Sequence, residues 1–76
     1  MKHFEDLWNE AEGLVDSRSS AQRIEDIKKL LDKIKNNPED FGNILFQLSG
    51  LSRDLNINVY SALESAINDV KIDMYD

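Results

Sequence analysis

The chain contains 76 residues with a hydrophobic fraction of 41%, which predicts one small domain, residues 1–76, near the lower size limit for a single hydrophobic core. Its formal net charge of −6 argues against direct nucleic-acid binding, and the absence of cysteine excludes disulfides, thiolate metal sites and a cysteine nucleophile. No apolar run is long enough to cross a membrane and the start MKHFEDLWNE is too acidic for a signal peptide, so we expect a cytoplasmic protein.

The first half of the chain predicts two amphipathic helices. In helix one, residues 4–16, the apolar residues at helical spacing are Phe4, Leu7, Trp8, Ala11, Leu14 and Val15. The segment DSRSS interrupts this pattern, and Ser19 followed by Gln22 has the form of a capping box. In helix two, residues 20–35, one face carries Ile24, Ile27, Leu30, Leu31 and Ile34. The basic segment from Arg23 to Lys35 predicts a solvated helix face, and contact with an anion or an acidic partner is the alternative.

Helix three is predicted for residues 38–55. Asn37 is a natural N-cap, and Pro38 suits the first helical position. The connection is so short that helices two and three should pack antiparallel. The apolar stripe of helix three consists of Phe41, Ile44, Leu45, Leu48, Leu51 and Leu55.

Helix three also has a second, smoother face. Phe46 falls opposite the apolar stripe, among the small residues Gly42, Ser49 and Gly50. Small side chains allow another backbone to approach closely. Phe46 therefore packs either on another helix of this chain or on a surface for self-association, with these four residues as the predicted interface.

Helix four is predicted for residues 59–74, with Asn58 as its N-cap. Its apolar positions are Val59, Ala62, Leu63, Ala66, Ile67, Val70 and Met74. Ile72 and Tyr75 lie off this stripe, which predicts either a second contact surface or a loosely held tail. Period-two alternation of useful length is absent, so the sequence predicts an all-α, antiparallel bundle of about four helices.

The second half of the chain resembles a known family. Residues 41–57 read FGNILFQLSGLSRDLNI and resemble the LGDLLFxLxxLAxxLGI run of MazG-type nucleotide pyrophosphohydrolases, and NVYSALESAINDV is similar to the helix that follows. The resemblance extends roughly from Arg23 to Asp73 and implies a MazG-like helical fold. It also implies Mg²⁺-dependent hydrolysis of nucleoside triphosphates by carboxylates on two facing helices.

The family's metal-binding positions are only partly acidic here. The resemblance places the first set at Glu25, Asp26 and Lys29, and the second at Asp40 and Asn43. An ammonium group at Lys29 repels a divalent ion, and Asn43 brings no negative charge. These substitutions predict weakened Mg²⁺ binding.

The acidic residues also have purely structural interpretations. Glu25 and Lys29 have the spacing of a surface ion pair on one helix. Asp40 lies three residues after the Asn37 cap, where a carboxylate satisfies a helix start.

The sequence therefore predicts a non-catalytic MazG-like module that binds a protein, as an inhibitor or adaptor, or binds its own copy as a self-associating regulatory protein. No cofactor is predicted for it. The first alternative is a minimal Mg²⁺-dependent pyrophosphohydrolase that uses Glu25, Asp26, Asp40 and Asn43. The second is an acidic protein that mimics nucleic acid.

Overall fold

The computed structural model describes residues 3–75, and the side chains of residues 3–74. Within this range the chain forms four helices and no strand, so the predicted all-α class is confirmed. The helices are α1, Phe4–Leu14; α2, Ser20–Asp32; α3, Pro38–Asp54; and α4, Val59–Tyr75. None of them combines the length and the apolar character that a helix needs to pass through a lipid bilayer.

Two helix starts follow directly from local sequence. The hydroxyl of Ser19 accepts a hydrogen bond from the backbone N–H of Gln22 at 3.1 Å, and α2 begins at Ser20. The side chain of Asn37 accepts from the N–H of Asp40 at 2.8 Å, and Pro38 occupies the first position of α3. Each cap satisfies an N–H that has no partner inside its helix.

Helices α1 and α2 end earlier than their apolar patterns predict. α1 stops at Leu14 because Val15 has extended backbone angles, and α2 stops at Asp32, three residues before the predicted end. The N–H of Lys35 donates instead to the carboxylate of Asp40 at 2.9 Å, which ties the loop to the start of α3. The loop thus takes residues that the pattern assigned to the helix.

A Schellman turn separates α3 from α4. Asn56 has a φ of 55°, a left-handed conformation that asparagine tolerates better than most residues. The N–H of Ile57 donates to the carbonyl of Ser52 at 2.9 Å, and that of Asn56 donates to the carbonyl of Arg53 at 3.1 Å. Asn58 then caps α4, as predicted, by accepting from the N–H groups of Tyr60 and Ser61.

Helix α3 is the centre of the fold. It packs against α1 and against α2, whereas α4 makes no comparably extensive contact with the other helices described here. The start of α2 lies beside the end of α3, since Arg23 bonds Asp54, so these two helices run antiparallel as predicted. Among residues 3–74, the buried hydrophobic side chains are Trp8, Val15, Ile27 and Ile44.

The molecule is open for its size. Its radius of gyration is 14.1 Å, against about 11.4 Å for a compact domain of this length. Its accessible surface is 6040 Å², which is about 1,300 Å² more than the area of about 4,700 Å² expected for a folded monomer of 8.7 kDa. Helix α4 contributes to this large surface, because every residue from Ser61 to Met74 is exposed.

Candidate interaction surface

Helix α4 exposes an apolar stripe along most of its length. Every residue from Ser61 to Met74 is exposed. The stripe is the one that the sequence predicts, and its large members, here called the α4 stripe, are Leu63, Ile67, Val70 and Met74. The helix has 17 residues and is about 25 Å long. Exposed apolar stripes of this length are uncommon on isolated domains.

The α4 stripe continues into an apolar groove between α1 and α3. One part of this groove has a volume of about 250 Å³ and is lined by Phe4, Trp8, Leu45, Val59, Tyr60 and Leu63. The adjoining part has a volume of about 180 Å³ and is lined by Phe4, Leu7, Trp8, Ala11, Gly42, Leu45 and Phe46. Leu63 belongs both to the groove and to the stripe, so the two form one surface. We call the groove the α1–α3 groove.

Two of the predicted interface residues, Gly42 and Phe46, lie in this groove. The side chain of Phe46 is 36% exposed and faces the groove together with Leu7 and Trp8 of α1. A Cβ atom built on Gly42 would meet no atom of another helix within 4 Å. Phe46 is thus partly packed on α1 and partly open, and its role in self-association stays a prediction.

The other two residues of that predicted face, Ser49 and Gly50, are covered within the chain. Ser49 is fully buried and donates its hydroxyl to the carbonyl of Phe46 at 2.6 Å. A Cβ atom on Gly50 would lie 2.7 Å from a guanidinium nitrogen of Arg23 and 2.9 Å from a methyl carbon of Val15. The missing side chain of Gly50 therefore makes room for Arg23, and neither residue is part of the exposed surface.

Arg23 is the residue that the sequence interpretation missed. Its side chain is 0% exposed, so the expectation of a solvated basic face is wrong at this position. Its guanidinium donates to Asp54 at 3.0 Å, to Gln47 at 2.8 Å and to the backbone carbonyl of Asp16. The sequence feature that indicates its burial is its spacing from Ile27. Arg23 precedes this buried residue by four positions, so both side chains lie on the inner face of α2.

Arg53 completes this polar cluster at the end of α1. Its guanidinium donates to the carbonyls of Glu12 at 2.9 Å, Val15 at 2.7 Å and Asp16 at 3.0 Å. These include carbonyls that the last turn of α1 leaves without helical partners. A cation at this position also interacts favourably with the negative end of the helix dipole.

Asp54 joins the two arginines. One oxygen accepts from Arg23 and the other from Arg53, each at about 3 Å. Burial alone would raise the pKa of Asp54, but the hydrogen bonds from Arg53 and Arg23 outweigh it and hold the pKa below its ordinary value of 3.8. No buried side-chain polar atom among the described residues lacks a hydrogen-bond partner, so the buried polar groups of this cluster are all satisfied.

The first predicted metal-binding set is engaged in other contacts. Glu25 is exposed and lies 3.5 Å from the ammonium of Lys28, not that of Lys29. Asp26 accepts from Gln22 at 3.0 Å and from Arg18. These hydrogen bonds, with that of Gln22 the larger cause, hold the pKa of Asp26 below its ordinary value.

The second predicted metal-binding set consists of Asp40 and Asn43, and Asp40 is likewise engaged in other contacts. The carboxylate of Asp40 accepts from the backbone N–H of Lys35 and, at 3.2 Å, from the side-chain amide of Asn37, whereas the backbone N–H of Asn37 donates to the carbonyl of Lys35. Asp40 therefore contacts the start of α3, but through hydrogen bonds other than that of the predicted capping box. Asn43 is exposed on α3. In the described part of the chain, no three His, Cys, Asp or Glu side chains lie close enough together to hold a metal ion. Within a single copy of the chain, the described residues therefore do not assemble the carboxylate cluster that the family resemblance implies.

The remaining two predicted interface residues lie near the end of α4. Ile72 is 59% exposed and lies about 140° around the helix from Ile67, away from the α4 stripe. The side chain of Tyr75 falls outside the described residues. Ile72 does not extend the surface formed by the stripe and the groove.

Comparison with protein-family models, with curated proteins and with solved structures gives no match for this chain. The resemblance to MazG-type enzymes therefore rests on the apolar positions of residues 41–57 and on Gly42.

Proposed function

We propose that this chain is a non-catalytic, MazG-like protein-binding module that docks onto another polypeptide through α4. The observation that carries the proposal is the α4 stripe, which stays in contact with solvent along a helix of 17 residues. Burial of this stripe is favourable because each large apolar side chain contributes about 1.5–3 kcal/mol when it leaves water completely.

The imbalance between core and surface supports this proposal. Four hydrophobic residues are buried in the described part of the chain, whereas fifteen large hydrophobic residues are exposed there. A helix of this length draws most of its stability from packing of its apolar face. Since the chain itself provides almost no packing for α4 beyond its first turn, a binding partner is the expected source.

The contacts of the acidic residues favour binding over catalysis. Asp26 is held by Arg18 and Gln22, and Asp40 is used by the start of α3. A triphosphate hydrolase needs several carboxylates around its metal ions, and these two are committed to structural contacts. The proposed role is therefore that of an inhibitor, adaptor or self-associating regulatory protein.

Site-specific photo-cross-linking tests the docking surface. A photoreactive amino acid replaces Leu63 on the α4 stripe, and in the matched control it replaces Ile72 on the other side of the same helix. We expect covalent adducts with a polypeptide from position 63 and none from position 72, after irradiation in an extract of the source cells. Absence of adducts from both positions, or equal adducts from both, would contradict docking through the stripe.

The non-catalytic part is tested separately. We expect no pyrophosphate release when the protein is incubated with Mg²⁺ and a panel of deoxynucleoside triphosphates. Release that disappears in Glu25→Ala would instead establish the pyrophosphohydrolase alternative.

A further inference from the structure

We propose that the polypeptide that covers the α4 stripe is a second copy of this chain, and that the two α4 helices pack antiparallel about a twofold axis near Ile67 and Asn68. This inference rests on the proposed docking function of α4 and names its partner. Three features of the chain support it: the size of its excess surface, the pattern of residues on α4 and the position of the groove.

The excess surface matches what a stable dimer buries. The chain exposes about 1,300 Å² more than a compact monomer of its mass. A standard protein–protein interface buries about 800 Å² on each partner, and obligate homodimers bury more. Pairing through α4 would therefore bring the exposed area of each chain close to that of an ordinary folded protein.

The apolar residues of α4 follow a heptad repeat. Positions a and d of this repeat are Tyr60, Leu63, Ile67, Val70 and Met74. A 3–4 spacing of apolar residues is typical of helices that pack along their length on another helix. The helix thus has the pattern of one half of a two-helix seam.

The charges beside this seam favour a second, antiparallel copy. Glu64 and Lys71 both occupy position e, and the midpoint between them is close to the midpoint of α4. In an antiparallel pair, e positions of the two helices face each other, so Glu64 of each copy lies near Lys71 of the other. Residues at e and g set the orientation of such pairs, and here one helix supplies both members of each ion pair. This self-complementarity is the property that a symmetric interface requires.

The groove gives the end of the second helix a place to pack. In the antiparallel arrangement the last turn of one α4 reaches the first turn of the other, where Val59 and Tyr60 line the α1–α3 groove. The residue that arrives there is Met74 of the second copy, which carries a flexible side chain that fits irregular apolar spaces. The proposed dimer therefore buries part of the groove as well as the stripe.

Sedimentation equilibrium tests the assembly with a matched pair of variants. Ile67→Glu places a carboxylate on the stripe, and Ile72→Glu places the same group on the opposite side of the same helix. Both side chains are exposed in the single chain, at 46% and 59%, so neither change disturbs its core. Between about 1 and about 100 µM, we expect wild type and Ile72→Glu to be dimers and Ile67→Glu to be a monomer.

Fluorescence of Trp8 and helical circular dichroism at high concentration show that each variant is folded. A wild type that is monomeric throughout this range would overturn the second-copy proposal. If cross-linking from position 63 still captured another protein, the proposed docking function would survive; if it captured nothing, both would fail. A dimer that persists in Ile67→Glu and dissociates in Ile72→Glu would overturn pairing through the stripe.

Cysteine cross-linking tests the orientation, since the chain contains no native cysteine. In the antiparallel pair, the two copies of position 67 lie almost opposite each other, whereas the two copies of position 63 are separated by about 13 Å along the axis. A disulfide requires Cα atoms within about 7 Å. We expect Ile67→Cys to form a disulfide-linked dimer on mild oxidation and Leu63→Cys to remain unlinked. Equal cross-linking of both variants would show a parallel pair and overturn the antiparallel arrangement.

Discussion

Gly50 and Gly42 occupy the same helix and offer a sharp test of how α2 packs on α3. A methyl group at Gly50 would collide with the guanidinium of Arg23, which lies 2.7 Å from the Cβ position, and with Val15 at 2.9 Å. A methyl group at Gly42 would meet no atom of another helix within 4 Å. Both glycines have helical backbone angles without positive φ, so alanine fits the backbone at either site.

The two substitutions to alanine should change the free energy of unfolding in opposite directions. Replacing glycine by alanine inside a helix adds about 0.5–1 kcal/mol of stability because alanine loses less conformational entropy. At Gly42 no steric overlap opposes this gain, so Gly42→Ala should be stabilising. At Gly50 it is opposed by overpacking, which costs about 1–3 kcal/mol, and Arg23 has little freedom to move because its donors are held by Asp54, Gln47 and Asp16. Gly50→Ala should therefore be destabilising by up to about 2 kcal/mol.

Urea unfolding followed by the fluorescence of Trp8 measures both changes at one fixed protein concentration. Trp8 is the only tryptophan of the chain and is buried, so its emission reports the loss of the core. We expect the midpoint to rise for Gly42→Ala and to fall for Gly50→Ala. A Gly50→Ala variant at least as stable as wild type would refute the close packing of Arg23 on α3.

Three further predictions follow from the polar contacts. Arg23→Ala should lower the free energy of unfolding by about 3 kcal/mol, because it leaves buried partners unpaired and opens a cavity, and Arg23→Lys should not restore the loss in urea unfolding. Asn56→Val should cost about 1–3 kcal/mol and Asn56→Gly little, since φ is 55° there; equal thermal midpoints would contradict this. The pKa values of Asp16, Asp26 and Asp54 are lowered by hydrogen bonds. The three ionised carboxylates should contribute their full stabilisation to the free energy of unfolding above pH 3.8, and this contribution should be lost as pH falls through their lowered pKa values in the folded protein. A midpoint of urea unfolding that does not change below pH 3.8 would refute this expectation.

The helix starts could be predicted because their causes are local. Ser19, Asn37 and Asn58 each cap the N–H groups two or three residues ahead, and no distant residue is needed to place them. Helix ends are harder to predict because they depend on competing contacts. α2 ends before its apolar pattern does because Lys35 and Asp40 form a loop contact that the periodicity does not contain.

The burial of Arg23 could not be predicted from charge patterning. An arginine between acidic and basic neighbours usually remains solvated. Here two elements bring three acceptors to it: the α1–α2 linker supplies the carbonyl of Asp16, and α3 supplies the side chains of Gln47 and Asp54. Only the folded arrangement brings these groups together, although the spacing of Arg23 from Ile27 already placed its side chain on the inner face of α2.

The run that resembles MazG-type enzymes contributes structural contacts in this chain. Ser49 and Gly50, in the run that carries the resemblance, are both buried inside the chain, and the missing side chain of Gly50 allows Arg23 and Val15 to approach α3. Asp40, at a position where the family has a metal ligand, is used to start α3. The same run therefore maintains a helical scaffold without assembling a carboxylate site among the described residues. The scaffold leaves the α4 stripe exposed, and the proposed binding function rests on that surface.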